Sequence, residues 1–326
     1  MEILSKRIRN LSESATLEMA RKSRELKAKG VDVINLSIGE PDFNTPHCIK
    51  EAAIEAIHDN HTHYTPVSGT TELREAIAKK LKKENSLDYT YQQIVVSNGA
   101  KQSIANAILC LVDPDDEVIV PSPYWVSYPE MVRLAEGKMV EIKATIDQDF
   151  KITPRQLEEA ITDKTKVFLF SSPCNPTGSV YSQDELNALA EVLLKHKNIF
   201  VISDEIYEYI NYKGGHASIA RVEKLKDRVI LVNGVSKGYA MTGWRIGYMA
   251  ASPEIAKACD KLQGQITSGA SSISQCASLK ALNSVDCVSA DVRQMVEAFR
   301  DRREMVIRKL DAMPGIKSNH PEGAFY

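Results

Sequence analysis

Ile94-Val95-Val96-Ser97 runs directly into Asn98-Gly99-Ala100-Lys101-Gln102, and from there into an apolar helical pattern ending near Val112. A short β-rich run, a glycine turn and a helix make half of a βαβ unit. The alternation repeats downstream. Glu117 to Pro121, Lys138 to Lys143, Lys166 to Ser171, Ile199 to Ser203 and Arg228 to Val232 read as strands, and Trp244 to Ala251 as one more. Between them, Thr153-Pro154-Arg155-Gln156 and Ser182-Gln183-Asp184-Glu185 have the spacing of capping boxes. Near-continuous apolar strands alternating with helices predict an α/β fold, a three-layer α/β/α arrangement around a mainly parallel sheet.

The flanks read differently. Residues 16 to 29 form a helix of mixed charge stopped by Gly30. Thr45-Pro46 opens another, with Thr45 as N-cap, and Thr71 to about Glu84 a third. After about residue 275 strand signals fade. Val292, Met295, Val296, Phe299, Val306 and Leu310 trace one long helix ended by Pro314-Gly315. No repeat or linker divides the chain. We therefore expect a smaller α+β domain built from both chain ends (1–36 and an incomplete 276–326) around a large ligand-binding domain at 37–275.

With 43% hydrophobic and 26% charged residues, the 326-residue chain can bury a sizeable core. A net charge of −2 argues against a generic nucleic-acid or anionic-membrane binder. No apolar run approaches a transmembrane span, and Met1 to Arg7 lacks the apolar core of a signal peptide. The six cysteines form no Cys-x-x-Cys pair and read as reduced thiols of a cytoplasmic protein. His58, His61 and His63 have no Cys or carboxylate partner at ligand spacing and read as a polar loop, so no metal site is expected.

Ligands of open parallel sheets bind outside the carboxyl ends of the strands. Chemistry-bearing residues collect at those ends. Lys237 follows the strand at Arg228 to Val232, eight residues before Arg245, in a loop rich in small residues. A lysine there suits an amine that must lose its charge and attack a carbonyl, and an arginine nearby suits a phosphate. Gly99-Ala100-Lys101 lies at a strand-to-helix turn, where free N–H groups favour a phosphate. Asp204 ends an apolar strand, either as a structural cap or as partner of a buried cation. Asn175, in Asn175-Pro176-Thr177-Gly178, and Trp125, in Pro123-Tyr124-Trp125, have plain alternatives as a turn and a core aromatic. Together these residues suggest a site for a phosphorylated, planar, cationic heterocycle. Pyridoxal phosphate needs a reactive lysine, an acid for its ring nitrogen and phosphate donors.

Several stretches then carry a resemblance over essentially the whole chain. They are Leu36-Ser37-Ile38-Gly39-Glu40-Pro41-Asp42-Phe43, Tyr64-Thr65-Pro66 with Gly69, Asn98 to Gln102, Pro123 to Trp125, Asn175 to Gly178, Ser203-Asp204-Glu205-Ile206-Tyr207, and Ser236 to Gly247. The chain resembles the fold-type I, class I aminotransferases, and within them the bacterial aspartate aminotransferase branch. The resemblance implies transamination of aspartate with 2-oxoglutarate by a ping-pong route. Lys237 would be the Schiff-base lysine and general base, and Asp204 would keep the ring nitrogen protonated. Asn175 and Tyr207 would hydrogen-bond the ring oxygen, and Trp125 would stack on the ring and face the substrate. Gly99, Ala100, Lys101, Ser236 and Arg245 would hold the phosphate region. Tyr64 would reach the phosphate in a neighbouring subunit, which makes an obligatory homodimer. Gly39 and Asn175 would meet the substrate, and Thr16 and Lys101 its distal carboxylate.

The resemblance also implies a gap. Family members run on past Glu322-Gly323-Ala324-Phe325-Tyr326 into the part that brings the arginine for the substrate α-carboxylate. No residue here takes that role, so a truncated chain with weak or absent activity is expected. Relatives that accept prephenate tend to carry a lysine where this chain has Ser12. The rival expectations are an aromatic or prephenate aminotransferase or a carbon–sulfur lyase on the same scaffold. A non-catalytic cofactor-binding module of a transcription regulator is the remaining one, and Met1 to Gly30 is too short for its DNA-binding domain.

Overall fold

The computed structural model describes residues 3–13, 15–36 and 39–326, with Val285 described by its backbone alone. Ser37 and Ile38, and with them part of the Leu36–Phe43 motif and the expected domain boundary at 36/37, lie outside the described residues. The helices are α1 (Lys6–Asn10), α2 (Ala15–Ala28), α3 (His47–His58), α4 (Thr71–Asn85), α5 (Ala100–Leu111), α6 (Tyr128–Leu134), α7 (Pro154–Ala160), α8 (Gln183–Lys195), α9 (Pro253–Ile266), α10 (Ser272–Asn283) and α11 (Val285–Asp311). The strands are β1 (Ile94–Ser97), β2 (Glu117–Ser122), β3 (Lys138–Lys143), β4 (Thr165–Ser171), β5 (Phe200–Asp204), β6 (Val229–Gly234) and β7 (Gly247–Ala250).

One seven-stranded sheet takes the order β1-β7-β6-β5-β4-β2-β3. All pairs are parallel except the two made by β7. Residue alternation along each strand sends its side chains into two separate cores. Val96, Phe168, Phe170, Val201 and Leu231 face the core that also takes Leu73 and Ile77 of α4 and Leu186 and Leu189 of α8. Val95, Val167, Leu169, Ile202 and Val232 face the core that takes Ile104 and Ile108 of α5 and Ile255 of α9. Burial on both faces explains why these strands read as continuous apolar runs, and the layering is the expected α/β/α. Both capping boxes form, at Thr153/Gln156 and Ser182/Glu185.

Topology then places the site. Two antiparallel steps separate β1 from β6, so β1 runs with β6, β5, β4 and β2, and all five end at one edge. The segments after Ser97, Ser122, Ser171, Asp204 and Gly234 therefore gather there.

Three expectations need correction. The strand expected over Trp244 to Ala251 begins only at Gly247, because Trp244 closes a 3-10 turn and Arg245 sits at φ 57°, outside extended geometry. Thr45 does not cap α3. Its hydroxyl donates to the Ala240 carbonyl at 2.7 Å and accepts from the Trp244 indole at 3.0 Å, so it ties α3 to the loop that carries Lys237. Cys48 and Cys287 are not reduced thiols; they form a disulfide between α3 and α11, across 239 residues that hide the pair from any spacing rule. Cys110, Cys174, Cys259 and Cys276 are free. The expected boundary after residue 275 falls inside α10, which runs unbroken to Asn283. Among the described residues no helix is long and apolar enough to cross a membrane.

Candidate active site

The chain leaves β6 at Gly234, turns through Val235 and Ser236 and presents Lys237 into a cavity of about 430 Å³. The backbone folds tightly here because Gly238 lies against the Tyr209 ring, where an added Cβ would come within 2.5 Å. The Lys237 ammonium donates to the Gly39 carbonyl at 2.6 Å. Burial pulls its pKa down to about 8; Arg245 pushes the same way, and Glu40 and Asp204 oppose. A lysine titrating there keeps a useful fraction of free amine near neutral pH.

Asp204 ends β5 and is 4% exposed. The Tyr128 hydroxyl donates to its Oδ2 at 2.8 Å, and the Ile206 N–H to its Oδ1 at 3.3 Å. Both donors are neutral. Desolvation raises the carboxyl to about 6, against those hydrogen bonds. The reading of Asp204 as a structural cap holds, since it accepts from the Ile206 N–H; it also lines the cavity.

The third feature is a cradle at the start of α5. Gly99 takes φ +84°, and a Cβ on it would lie 2.2 Å from Arg245 Nη2. A Cβ on Gly247 would meet the Ala100 nitrogen at 2.0 Å. These glycines let the guanidinium close on the helix N-terminus, whose first N–H groups have no intrahelical acceptor. Arg245 donates to the carbonyls of Thr242 at 2.8 Å and Asn98 at 3.3 Å. The Lys101 ammonium sits 4.9 Å over the Trp125 ring, and burial, then the Arg245 charge, lowers its pKa.

Opposite this cradle, Asn175 Nδ2 donates to the Tyr326 hydroxyl at 3.1 Å, and the Tyr207 and Tyr326 hydroxyls share a hydrogen bond of 2.7 Å. Ser236, Thr16 of α2 and Gly39 complete the lining drawn from the expected residues. Ala100, Lys101, Trp125, Asn175, Asp204 and Tyr207 also line it, with Lys237 and Arg245. Gly99 stands just behind, against Arg245. Tyr64 is 101% exposed and is not brought to this cavity.

Two site residues escaped sequence reasoning, Tyr128 and Tyr326. Tyr128 lies three residues after Trp125 and Tyr326 ends the quoted Glu322–Tyr326 segment, but the hydroxyl partner of each lies far away in sequence.

Behind β5 lies a second set of charges. The Lys80 ammonium pairs with Glu208, and Asn85 and Asn233 donate to the same carboxylate at 3.0 and 2.8 Å. His216 Nε2 meets Glu205 at 2.6 Å, and the Ser203 and Ser218 hydroxyls donate to Glu205 at 2.9 and 2.7 Å. Burial disfavours charge on His216, but Glu205 and Glu208 outweigh it and raise its pKa. Glu205, Glu208 and His216 are close enough together to hold a cation, but Lys80 already fills that role.

Comparison with known proteins agrees with this geometry. The family described as aminotransferase class I and II matches residues 31–326. A probable aspartate/prephenate aminotransferase of Rhizobium leguminosarum bv. phaseoli is 49% identical over 329 residues, covering 100% of this chain and 81% of the relative. An aspartate aminotransferase of Bacillus subtilis is 46% identical over 325 residues, covering 99% and 82%. A solved aspartate aminotransferase of Thermus thermophilus with maleate superimposes with a TM-score of 0.96 at 43% identity, covering 99% of this chain and 84% of that one. The chain thus spans about four fifths of these relatives. The family match over residues 31–326, with relatives this similar over nearly the whole chain, places the chain in the class I and II aminotransferase family.

Proposed function

We propose that the cavity takes pyridoxal phosphate and that the protein transaminates an acidic amino acid, aspartate with 2-oxoglutarate. The observation that carries the reading is the convergence of Lys237, Asp204 and Arg245 on one cavity from three strand ends. The residues fit the cofactor. Asp204 is a buried carboxylate with only neutral hydrogen-bond donors, so a ring N–H⁺ supplies the cation it lacks. The Gly99 and Gly247 positions leave the arginine and the α5 N-terminus open to a phosphate. The bound cofactor supplies an electrophilic aldehyde and a ring that draws electrons from the substrate α-carbon.

The chain's own residues do the rest. Lys237, held near pKa 8, would hold the cofactor through its free amine and would carry the proton at the substrate α-carbon. Tyr207 and Asn175 would hold the ring oxygen with the hydroxyl and amide that here engage Tyr326. Trp125 would pack against the ring, Ser236 and Arg245 would bind the phosphate with Gly99, Ala100 and Lys101, and Gly39 would receive the substrate carboxylate. Thr16 and Lys101 would select the distal carboxylate, and the maleate in the Thermus enzyme supports a dicarboxylate as the class of ligand. Tyr64, fully exposed, serves the site of a second copy in a homodimer. We place the division between the large domain and the C-terminal part of the small one at Ser284, where α10 gives way to α11.

The name of the Rhizobium relative supports prephenate as a second acceptor. Against it, Ser12 occupies the position of interest, and its N–H is taken by Glu130 at 2.9 Å.

The test is a stoichiometric one, which does not depend on fast turnover. Cofactor-loaded protein mixed with excess L-aspartate should release one oxaloacetate per bound cofactor, and L-alanine in its place should release no pyruvate. Pyruvate and ammonia from a sulfur amino acid instead, with no keto acid from aspartate, would sink the reading in favour of a lyase.

A further inference from the structure

We infer that Tyr128 is a positioning residue for the cofactor site, its hydroxyl holding Asp204 in place and in the ionised form. The inference rests on the reading of the cavity as a pyridoxal phosphate site. Tyr128 opens α6 and is 1% exposed. Its hydroxyl is 2.8 Å from Asp204 Oδ2, and the only other hydrogen bond to that carboxylate among the described residues is the longer one from the Ile206 N–H. The turn that precedes α6 locks the phenol in position. The Tyr128 N–H donates to the Trp125 carbonyl at 3.0 Å, and the two rings meet edge to face at 5.5 Å and 87°. One side chain thus braces the acid beneath the cavity and the indole that lines it.

The energetics follow from burial. Asp204 pays for desolvation, which favours its neutral form, and a neutral acid would not pair with a ring N–H⁺. A donor aimed at the carboxylate opposes that tendency. Tyr128 suits the task because its own proton is held far above the ordinary tyrosine range by burial and by Asp204 itself. It therefore remains a donor wherever the protein is folded, which a histidine would not.

The decisive variant is Tyr128→Phe, which removes the hydroxyl and keeps the ring against Trp125. In apo protein labelled with carboxyl-¹³C aspartate, with the Asp204 signal assigned through Asp204→Asn, the wild-type group should titrate near 6. In Tyr128→Phe it should titrate about one to two pH units higher, as expected for loss of a hydrogen bond to a charged group. A 3-fluorotyrosine at position 128, a stronger donor of nearly unchanged shape, should move it the other way and guards against misfolding of the Phe variant. Cofactor affinity measured by equilibrium dialysis should be close to wild type in Tyr128→Phe above the shifted midpoint and about tenfold weaker one unit below it. An Asp204 titration unmoved by both variants overturns the inference, as does a moved titration with affinity unchanged at every pH. Failure of the underlying reading looks different: wild type and Asp204→Asn would bind the cofactor equally poorly.

Discussion

Asp204 and Glu205 are neighbours in sequence and both are buried carboxylates, yet their surroundings differ in kind. Glu205 and Glu208 are matched inside the protein by Lys80, His216 and four neutral side-chain donors, Asn85, Asn233, Ser203 and Ser218. Asp204 has two neutral donors and faces a cavity. The first set is complete without a ligand and serves the fold. The second is incomplete in its charge, which is what a site for a cationic ring requires.

Variants on each side should therefore have opposite effects. The largest is expected from Lys80→Met, which leaves Glu208 buried without its cation and should cost about 3–5 kcal/mol in urea unfolding. Its effect on cofactor affinity, corrected for the unfolded fraction, should be small. Asp204→Asn should do the reverse, weakening cofactor binding about 10- to 100-fold, as for a lost hydrogen bond to a charge. Stability near pH 8 should not fall, because raising the carboxyl from 3.8 to about 6 means its ionisation costs the fold about 3 kcal/mol. A loss of stability equal to that of Lys80→Met would erase the distinction.

The smallest effect is a pH slope. His216 has a folded pKa raised above its unfolded value, so its contribution is fully present below about pH 6.5 and is lost as pH rises through the raised value. Stability should fall across that window in wild type and fall less in His216→Gln. Urea midpoints of the two proteins from about pH 6 to 9 check this. A steeper fall in the variant would mean that His216 is neutral in the network.

Much of the site could be read before any coordinates. Lys237, Asp204 and the Gly99 turn stand at strand ends that a parallel sheet must bring together, whereas Arg245 joins them because antiparallel β7 starts at the same edge. What could not be read are contacts that depend on packing between distant segments. The Tyr128–Asp204 bond spans 76 residues, and the Cys48–Cys287 bond 239. Thr45 has every local mark of an N-cap, but a carbonyl 195 residues away takes its hydroxyl. The start of β7 at Gly247 was hidden for a similar reason. It is set by the αL residue Arg245, whose conformation follows from the guanidinium reaching over Gly99.

The central claim is that Lys237, and no other lysine, carries the cofactor. Protein incubated with pyridoxal phosphate near neutral pH, reduced with borohydride and digested with trypsin should show the added mass on a peptide running from Val229 through Lys237 to Arg245, since a modified lysine resists cleavage. Lys237→Ala should abolish that label. A label on Lys101, the other lysine of the cavity, or one spread over surface lysines and unchanged in Lys237→Ala, would contradict the account.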